Sequence, residues 1–297
     1  MALKIVEFFG YDPADRSPAA LSGRSRLWCP FLDGRCEKTL SDGAPSGACT
    51  VRQTRPDPVI CCPFRLYGSS YRVLRDIVEG AFGPGLDLLP AGAAATVPRR
   101  VVAVFGKHWG KELRLPQRRG GGNYFVDWIL ALLSPGGVLE EFVAVEVQAI
   151  DTTGNYRDQR SALLKEEEFP GMSKAGLNWE NVAKRILPQL IYKGHVLRRE
   201  PLCQKGLFFV CPTPVYQRIR ERLGGNLLEY APQPGALTFR WYDLGCTEPP
   251  GTLRVIIPAG QITTTVDQVA LAFTSPSNLP PSRVYEQAIM TEIGKNG

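Results

Sequence analysis

The chain has 297 residues, 44% of them hydrophobic, and a formal net charge of +6 at pH 7. This length is sufficient for a full hydrophobic core, as one large domain or as a domain with a small appendage. No run of 18 apolar residues occurs and the N-terminus has no apolar signal segment, so we expect a soluble intracellular protein. The modest positive charge suits a polyanionic partner, but it also suits many other soluble enzymes.

Cysteines are concentrated near the N-terminus. Five of the eight fall between residues 29 and 62, in a Gly/Pro-rich segment with few periodic apolar residues. Without a secretion signal, a disulfide framework is not expected, and four thiolates on one metal ion would supply the missing folding energy. The alternative is isolated free cysteines, because the spacing is not the compact C-x₂-C pair. Cys61 continues an apolar run and Cys62 precedes a proline, so the predicted ligands are Cys29, Cys36, Cys49 and Cys62.

More regular sequence begins at residue 69. Ser69 and Ser70 are typical of a helix cap, apolar residues follow at helical spacing, and Gly80 should end this helix. Residues 101–105 predict a strand. We therefore expect an N-terminal cysteine region over residues 1–68 and a second domain over residues 69–297.

Two consecutive apolar runs carry acidic residues. Residues 122–133 contain Asp127, and residues 142–150 contain Glu146 and Gln148. The Ser-Pro-Gly-Gly sequence between the runs predicts a tight turn joining two neighbouring strands. Because side chains alternate along a strand, Glu146 and Gln148 share one face. The turn should bring Asp127 close to Glu146.

A carboxylate in a buried strand must be compensated. Unpaired among apolar residues, Glu146 would cost roughly several kcal/mol unless it were protonated, ion-paired or bound to a metal ion. The purely structural explanations are a salt bridge from Glu146 to an arginine and a capping or solvent-facing role for Asp127. Two adjacent carboxylates also favour a hard divalent cation, and Mg²⁺ is the usual one in phosphoryl chemistry.

Further elements follow the acidic strands. A helix is predicted from residue 178, with Val182, Ile186 and Leu190 on one stripe, a kink at Pro188 and an end at Gly194. A buried strand at residues 206–211 and a helix opened by Thr213 and Pro214 come next. The remaining sequence predicts strands at residues 237–242 and 253–257 and a C-terminal helix at residues 282–293.

This order of elements resembles the PD-(D/E)XK nuclease core. An acid on one strand and Glu-x-Gln on the next, within an αβββαβ order, are similar to the variant in which Gln replaces the usual Lys. Over roughly residues 1–215 the chain further resembles the NotI/EagI group of type II restriction endonucleases. The segments that carry this second resemblance are residues 28–31, 47–51, 62–67 and 145–156.

The resemblance implies an α/β fold with a central mixed sheet flanked by helices, and a small N-terminal Cys₄ module that binds iron or zinc. It also implies a Mg²⁺-dependent, cytoplasmic bacterial homodimer that cuts both strands of a short GC-rich palindrome and leaves 5′-phosphate ends. Asp127 and Glu146 then correspond to the metal-binding carboxylates, and Gln148 to the lysine position. Glutamine cannot act as a base, so it can only orient the attacking water.

Double-stranded DNA is the implied partner, and a cognate DNA methyltransferase is expected in the same system but not as a stable subunit. Basic and polar residues flank the acidic strands, where they could contact phosphates or guanine edges. Solvated loop charges are the alternative for each arginine. The candidate DNA-contacting residues are Arg118, Arg119, Thr152, Asn155, Arg157 and Arg160.

Two other functions remain compatible with the sequence. One is a non-catalytic DNA- or RNA-binding protein in which the Cys₄ module reads nucleic acid and Glu146 and Gln148 form a buried polar pair. The other is a repair nuclease on the same core, which would nick damaged or mismatched sites.

Overall fold

The computed structural model describes residues 3–53, 57–113, 125–154, 156–169, 173, 175–225, 227–275, 279 and 281–294. The described strands are β1 (Lys4–Phe8), β2 (Trp28–Cys29), β3 (Gly34–Arg35), β4 (Ala48–Arg52), β5 (Val59–Ile60), β6 (Leu88–Pro90), β7 (Val101–Gly106), β8 (Trp128–Leu133), β9 (Leu139–Val147), β10 (Thr152–Thr153), β11 (Gly176–Leu177), β12 (Leu207–Pro212), β13 (Ala236–Leu244) and β14 (Ile256–Thr265). The α-helices are α1 (Pro18–Ser25), α2 (Gly68–Phe82), α3 (Ala91–Ala94), α4 (Arg157–Leu164), α5 (Leu187–Leu197), α6 (Thr213–Leu223), α7 (Val266–Thr274) and α8 (Val284–Gly294).

A mixed sheet of seven strands, in the order β14-β13-β12-β9-β8-β7-β6, forms the centre of the molecule. Strands β7, β8 and β9 make an antiparallel meander, and β12 and β13 then add in parallel to β9. The predicted order of helix, three strands, helix and strand is confirmed by α2, β7, β8, β9, α5 and β12. Helices flank this sheet, so the expected mixed α/β architecture is present.

Strands β8 and β9 form where the apolar runs predicted them. All six residues of β8 are buried, and Gly136 and Gly137 take left-handed conformations (φ 92° and 82°) in the turn between the strands. Such a conformation suits glycine because it has no Cβ. Two details differ from the prediction. Strand β8 begins at Trp128, so Asp127 immediately precedes it, and β9 covers Leu139–Val147 instead of residues 142–150, so Gln148 immediately follows it.

Helix α2 covers one face of the sheet. Its buried side chains include Val73, Leu74, Ile77 and Val78, as their helical spacing predicted. Both predicted ends were wrong. Residues 69–71 have left-handed backbone angles and no side chain caps the N-terminus, and the helix continues past Gly80 to Phe82 because the positive φ that ends it occurs at Gly83.

Helix α5 follows a π-helical turn at Val182–Ile186, just before Pro188, the residue where a kink was predicted. The predicted end at Gly194 was wrong, because the helix continues to Leu197. Gly194 instead allows close packing: a Cβ there would lie only 2.8 Å from Cγ2 of Val266 at the start of α7. The missing side chain thus brings α5 and α7 together.

The C-terminal third extends the sheet with β13 and β14. The last strand was predicted at residues 253–257 but is found at Ile256–Thr265. It pairs antiparallel with β13, and the register shifts between Trp241 and Tyr242. The predicted C-terminal helix is α8, which has no buried residue. Within the described residues, no helix is both long and apolar enough to cross a membrane.

The N-terminal region packs directly against the sheet. Its own strands form the three-stranded sheet β1-β4-β5 and the short pair β2-β3. The Arg65 guanidinium donates to both carboxylate oxygens of Glu7, at 2.9 and 3.1 Å, and to the Arg254 carbonyl at 2.7 Å. Cys29 and Cys49 belong to the same hydrophobic cluster as Trp128 of β8. The two regions therefore share a core, and the division at residue 68 stays a prediction.

Candidate active site

Asp127 and Glu146 come together at one end of β8 and β9. Because Trp128 pairs with Val145 in this antiparallel ladder, Asp127 is level with Glu146 on the neighbouring strand. The Val147 backbone N–H donates to Asp127 Oδ2 at 2.7 Å and fixes the aspartate against β9. The structure thus brings together the two acids that the sequence singled out.

Both oxygens of the Glu146 carboxylate accept hydrogen bonds. Gln148 immediately follows β9, and its Nε2 donates to Oε1 at 3.2 Å, so the predicted proximity of the two side chains is present. Lys193 Nζ, from helix α5, donates to Oε2 at 2.6 Å. Glu146 is 4% exposed and Lys193 is 5% exposed, so this is a buried ion pair. The salt bridge considered for Glu146 is therefore present, but with a lysine instead of an arginine.

The environment of Asp127 favours its protonated form. Burial is the largest cause and raises the pKa of Asp127 to about 7, and the negative charge of Glu146 acts in the same direction. The Val147 N–H and the Lys193 ammonium oppose this rise. A cation placed between the two acids would favour both charged forms, as expected of carboxylates that bind a metal ion.

A cavity of about 320 Å³ opens beside the acidic pair. Its aromatic wall includes Tyr67, whose hydroxyl accepts a hydrogen bond from Trp128 Nε1 at 3.2 Å. His108 lies in the wall with Nδ1 3.7 Å from Glu37 Oε1, and burial lowers the pKa of this imidazole while Glu37 opposes the shift. The lining residues are Pro63, Phe64, Tyr67, Lys107, His108, Glu112, Asp127, Trp128, Val147, Gln148, Asp151 and Arg185.

Two site residues, Lys193 and Glu112, escaped the sequence reasoning. Lys193 follows Leu190 by three positions and therefore lies on the buried stripe of its helix. A lysine is unusual on such a stripe, and this could have indicated a role for Lys193. Glu112 lines the cavity and its charge raises the pKa of Asp127. Arg185, from the π-helical turn, also lines the cavity and lies 4.0 Å from Asp151.

The candidate DNA-contacting residues are only partly described. Arg157 donates from Nη2 to Ser41 Oγ at 2.8 Å, and its Nε lies 3.2 Å from Asp42 Oδ2. Arg160 Nε donates to the Pro45 carbonyl at 2.7 Å. Both arginines thus contact the loop that links the cysteine strands. Thr152 is on β10, which pairs with β11, while Arg118, Arg119 and Asn155 lie outside the described residues.

The four predicted cysteine ligands are neighbours. Cys29, Cys49 and Cys62 are buried, Cys36 is partly buried, and all four are free thiols. Burial raises the pKa of Cys29 to about 11 and that of Cys62 to about 12. Burial also raises the pKa of Cys49 well above its usual value, and the other three thiols add to that rise because they are close.

Cys61 is in a different environment from Cys62. Its Sγ lies 3.4 Å from Lys38 Nζ and contacts the carbonyls of Ala48 and Cys49 at 3.6 Å. It also belongs to a different hydrophobic cluster from Cys29 and Cys49. This arrangement favours Cys62 as the partner of the other three thiols.

The acidic pair and the four cysteines each offer the kind of ligand atoms that metal ions prefer. Across the described part of the chain, no group of three or more His, Cys, Asp or Glu side chains is arranged to hold a metal ion. Asp127 and Glu146 nevertheless offer two hard oxygen ligands, and Mg²⁺ is commonly held by one or two carboxylates together with substrate phosphates and water. Four neighbouring thiols, three of them buried, suit the tetrahedral coordination of zinc or iron.

The family comparison identifies the class of protein that carries this site. Residues 16–221 match the family model described as restriction endonuclease NotI, which covers more than half of the chain. The protein is a restriction endonuclease, an enzyme that binds DNA and hydrolyses its phosphodiester bonds.

More particularly, the chain belongs to the NotI restriction endonuclease family. Asp127, Glu146, Gln148 and Lys193 all lie within the matched residues, whereas β13, β14, α7 and α8 lie beyond them. A search of curated proteins gave no match.

Proposed function

We propose that this restriction endonuclease cuts both strands of a short GC-rich palindrome as a homodimer, in a Mg²⁺-dependent reaction that leaves 5′-phosphate ends. The supporting observation is the placement of Asp127, immediately before β8, against Glu146 of the adjacent strand β9, beside an open cavity. The palindrome, its GC content and the dimer follow from the likeness to the NotI group. Restriction endonucleases generally use Mg²⁺.

Asp127 and Glu146 are the proposed metal ligands, and the Ala149 carbonyl is a third candidate. When bound, Mg²⁺ lowers the pKa of water and offsets the negative charge of the scissile phosphate. Gln148 orients the attacking water through its amide, because an amide can donate and accept hydrogen bonds but cannot take up a proton at neutral pH. Attack of the water oxygen on phosphorus with loss of the 3′-oxygen gives a 5′-phosphate and a 3′-hydroxyl.

The DNA contacts proposed from the sequence are retained with one modification. Arg157 and Arg160 now hold residues 41–45, so reading of guanine edges by either arginine requires it to exchange these contacts for DNA. Arg185 and Lys107 line the cavity and are additional candidates for phosphate contact. The remaining candidates are Arg118, Arg119, Thr152 and Asn155.

The cysteine group is proposed to bind one structural ion, iron or zinc, through Cys29, Cys36, Cys49 and Cys62. Its support is the burial and mutual proximity of the thiols in a region whose strands are only two to five residues long. Such a region gains folding energy directly from metal binding. A cognate methyltransferase remains an expected partner in the cell, acting on the same DNA sequence.

A digest of mixed-sequence plasmid DNA tests the enzymatic proposal. Purified protein with Mg²⁺ should give discrete bands, and sequencing of the ends should show one palindrome with 5′-phosphates. EDTA should abolish the bands, and Ca²⁺ with a cognate duplex should give a complex of two chains per duplex by light scattering. A smear, or bands from nicking at mismatches only, would contradict sequence-specific double-strand cleavage.

A further inference from the structure

Helix α5 brings a positive charge to the acidic site. Lys193 is the lysine whose Nζ donates to Glu146 Oε2 at 2.6 Å, and both side chains are almost completely buried. Residue 148, the strand position that the nuclease pattern usually gives to lysine, is a glutamine and contributes only a neutral donor to Oε1. The cation of this site therefore comes from a different element.

The helix that carries Lys193 is held firmly. Leu190 and Leu197, one turn on either side, are buried in the core, and Gly194 packs against Val266. Lys193 therefore cannot move far from Glu146 without disturbing the packing of α5 on α7. A side chain fixed in this way can define the orientation of the carboxylate that it contacts.

We propose that Lys193 is a positioning residue for Glu146, and that it takes from α5 the place of the lysine that position 148 lacks. This proposal rests on the proposed metal-dependent cleavage and adds a residue to it. The ion pair has two effects of opposite sign. It holds the Glu146 carboxylate in one orientation, which favours reaction, and it places a positive charge beside the metal position, which weakens metal binding.

Replacement of Lys193 should separate these two effects. In Lys193→Met, the single-turnover cleavage rate at saturating Mg²⁺ should fall by about 10–100-fold, as is typical when a group that orients a metal ligand is removed. The Mg²⁺ concentration that gives half of the maximal rate should also fall, by about tenfold, because a repelling charge has gone. Loss of structure alone would lower the rate and raise the metal requirement.

Lys193→Gln is the second variant. It removes the charge but keeps a donor for the buried carboxylate, so it should fold even if Lys193→Met does not, and circular dichroism would show this. We expect the same pair of changes in Lys193→Gln. The matched control is Lys205→Met. Lys205 forms an ion pair at 2.5 Å with Glu141, which lies on β9 like Glu146. That variant should keep the wild-type rate and metal requirement.

The outcomes distinguish this proposal from the one on which it rests. Absence of cleavage by the wild-type protein would overturn the proposed function itself. If the wild type cleaves, then a folded Lys193→Gln or Lys193→Met with a rate within twofold of wild type would overturn the role of Lys193 alone. A lower rate with an increased metal requirement would equally overturn it, because that result indicates a purely structural lysine.

Discussion

The acidic pair and the cysteine group are positioned by different means. Asp127 and Glu146 lie on or beside β8 and β9, strands of six and nine residues inside a seven-stranded sheet, and backbone hydrogen bonds set their separation. The cysteines lie on or beside strands of two to five residues. A metal ion should therefore complete the chemistry at the first place and the fold at the second.

The largest effect is expected at the acidic pair. Asp127→Ala or Glu146→Ala should lower cleavage by at least about 10³-fold, because each removes one of the two carboxylates proposed to bind the catalytic metal. Sequence-specific DNA binding should remain, as measured by fluorescence anisotropy with a labelled duplex. Glu141→Gln, a change on the same strand, is the control and should cut normally. Cleavage at the wild-type rate by either alanine variant would show that the acidic pair is not the catalytic site.

Replacement of a cysteine ligand should reduce the amount of bound metal more than it reduces the cleavage rate. Structural zinc sites supply about 10–16 kcal/mol, so one thiolate of four contributes on the order of 2.5–4 kcal/mol. Cys62→Ser should lose bound iron or zinc, measured by elemental analysis of the purified protein, and should unfold at lower temperature. Cys61→Ser should retain the ion, and the reverse pattern would show that Cys61 is the ligand.

A buried ion pair within the N-terminal region provides a third test. Arg65 and Glu7 are 0% and 1% exposed, so removal of one partner leaves a buried charge. Arg65→Met should lower the free energy of unfolding by about 3 kcal/mol, measured with urea. The exposed pair of Arg99 and Asp87 is the control, and Arg99→Met should cost less than about 1 kcal/mol. Equal costs would mean that burial does not make this ion pair more important to stability than an exposed one.

The smallest effect concerns pH. The pKa of Asp127 is about 7 in the fold and lower when unfolded, so its contribution to the stability of the metal-free protein is full below about pH 4 and is lost as the pH rises through about 7. Metal binding requires the carboxylate, so affinity for Mn²⁺ should fall about tenfold per unit below pH 7. Calorimetric titrations would measure this, and a flat profile would contradict the assignment of Asp127.

The sequence predicted the parts of the site that local pattern controls. The two apolar runs and their Gly-containing turn placed Asp127 near Glu146, and the strand period placed Gln148 beside Glu146. These relations depend on neighbours in the chain. They correctly gave three successive strands, β7, β8 and β9, with a tight turn between the last two, and the buried stripe of Val182, Ile186 and Leu190.

The parts that were missed depend on contacts between distant segments. Lys193 is 47 positions from Glu146, and only the packing of α5 against the sheet brings them together. Gly194 indicated a helix end by its local preference, but its contact with Val266 decided its role. Strand β14 contains Pro258 and several polar residues, so apolar pattern alone could not show that pairing with β13 continues to Thr265.

The close packing of α7 against Gly194 has a practical consequence for the exchange of segments between relatives. Helix α7, which lies outside the family-matched residues, supports the turn of α5 that carries Lys193. A hybrid that joins the nuclease core of this chain to the C-terminal portion of another enzyme would keep the acidic pair intact. It would still need a helix whose first residue packs closely against Gly194, as Val266 does here. Without that contact, α5 would no longer hold Lys193 in place beside Glu146.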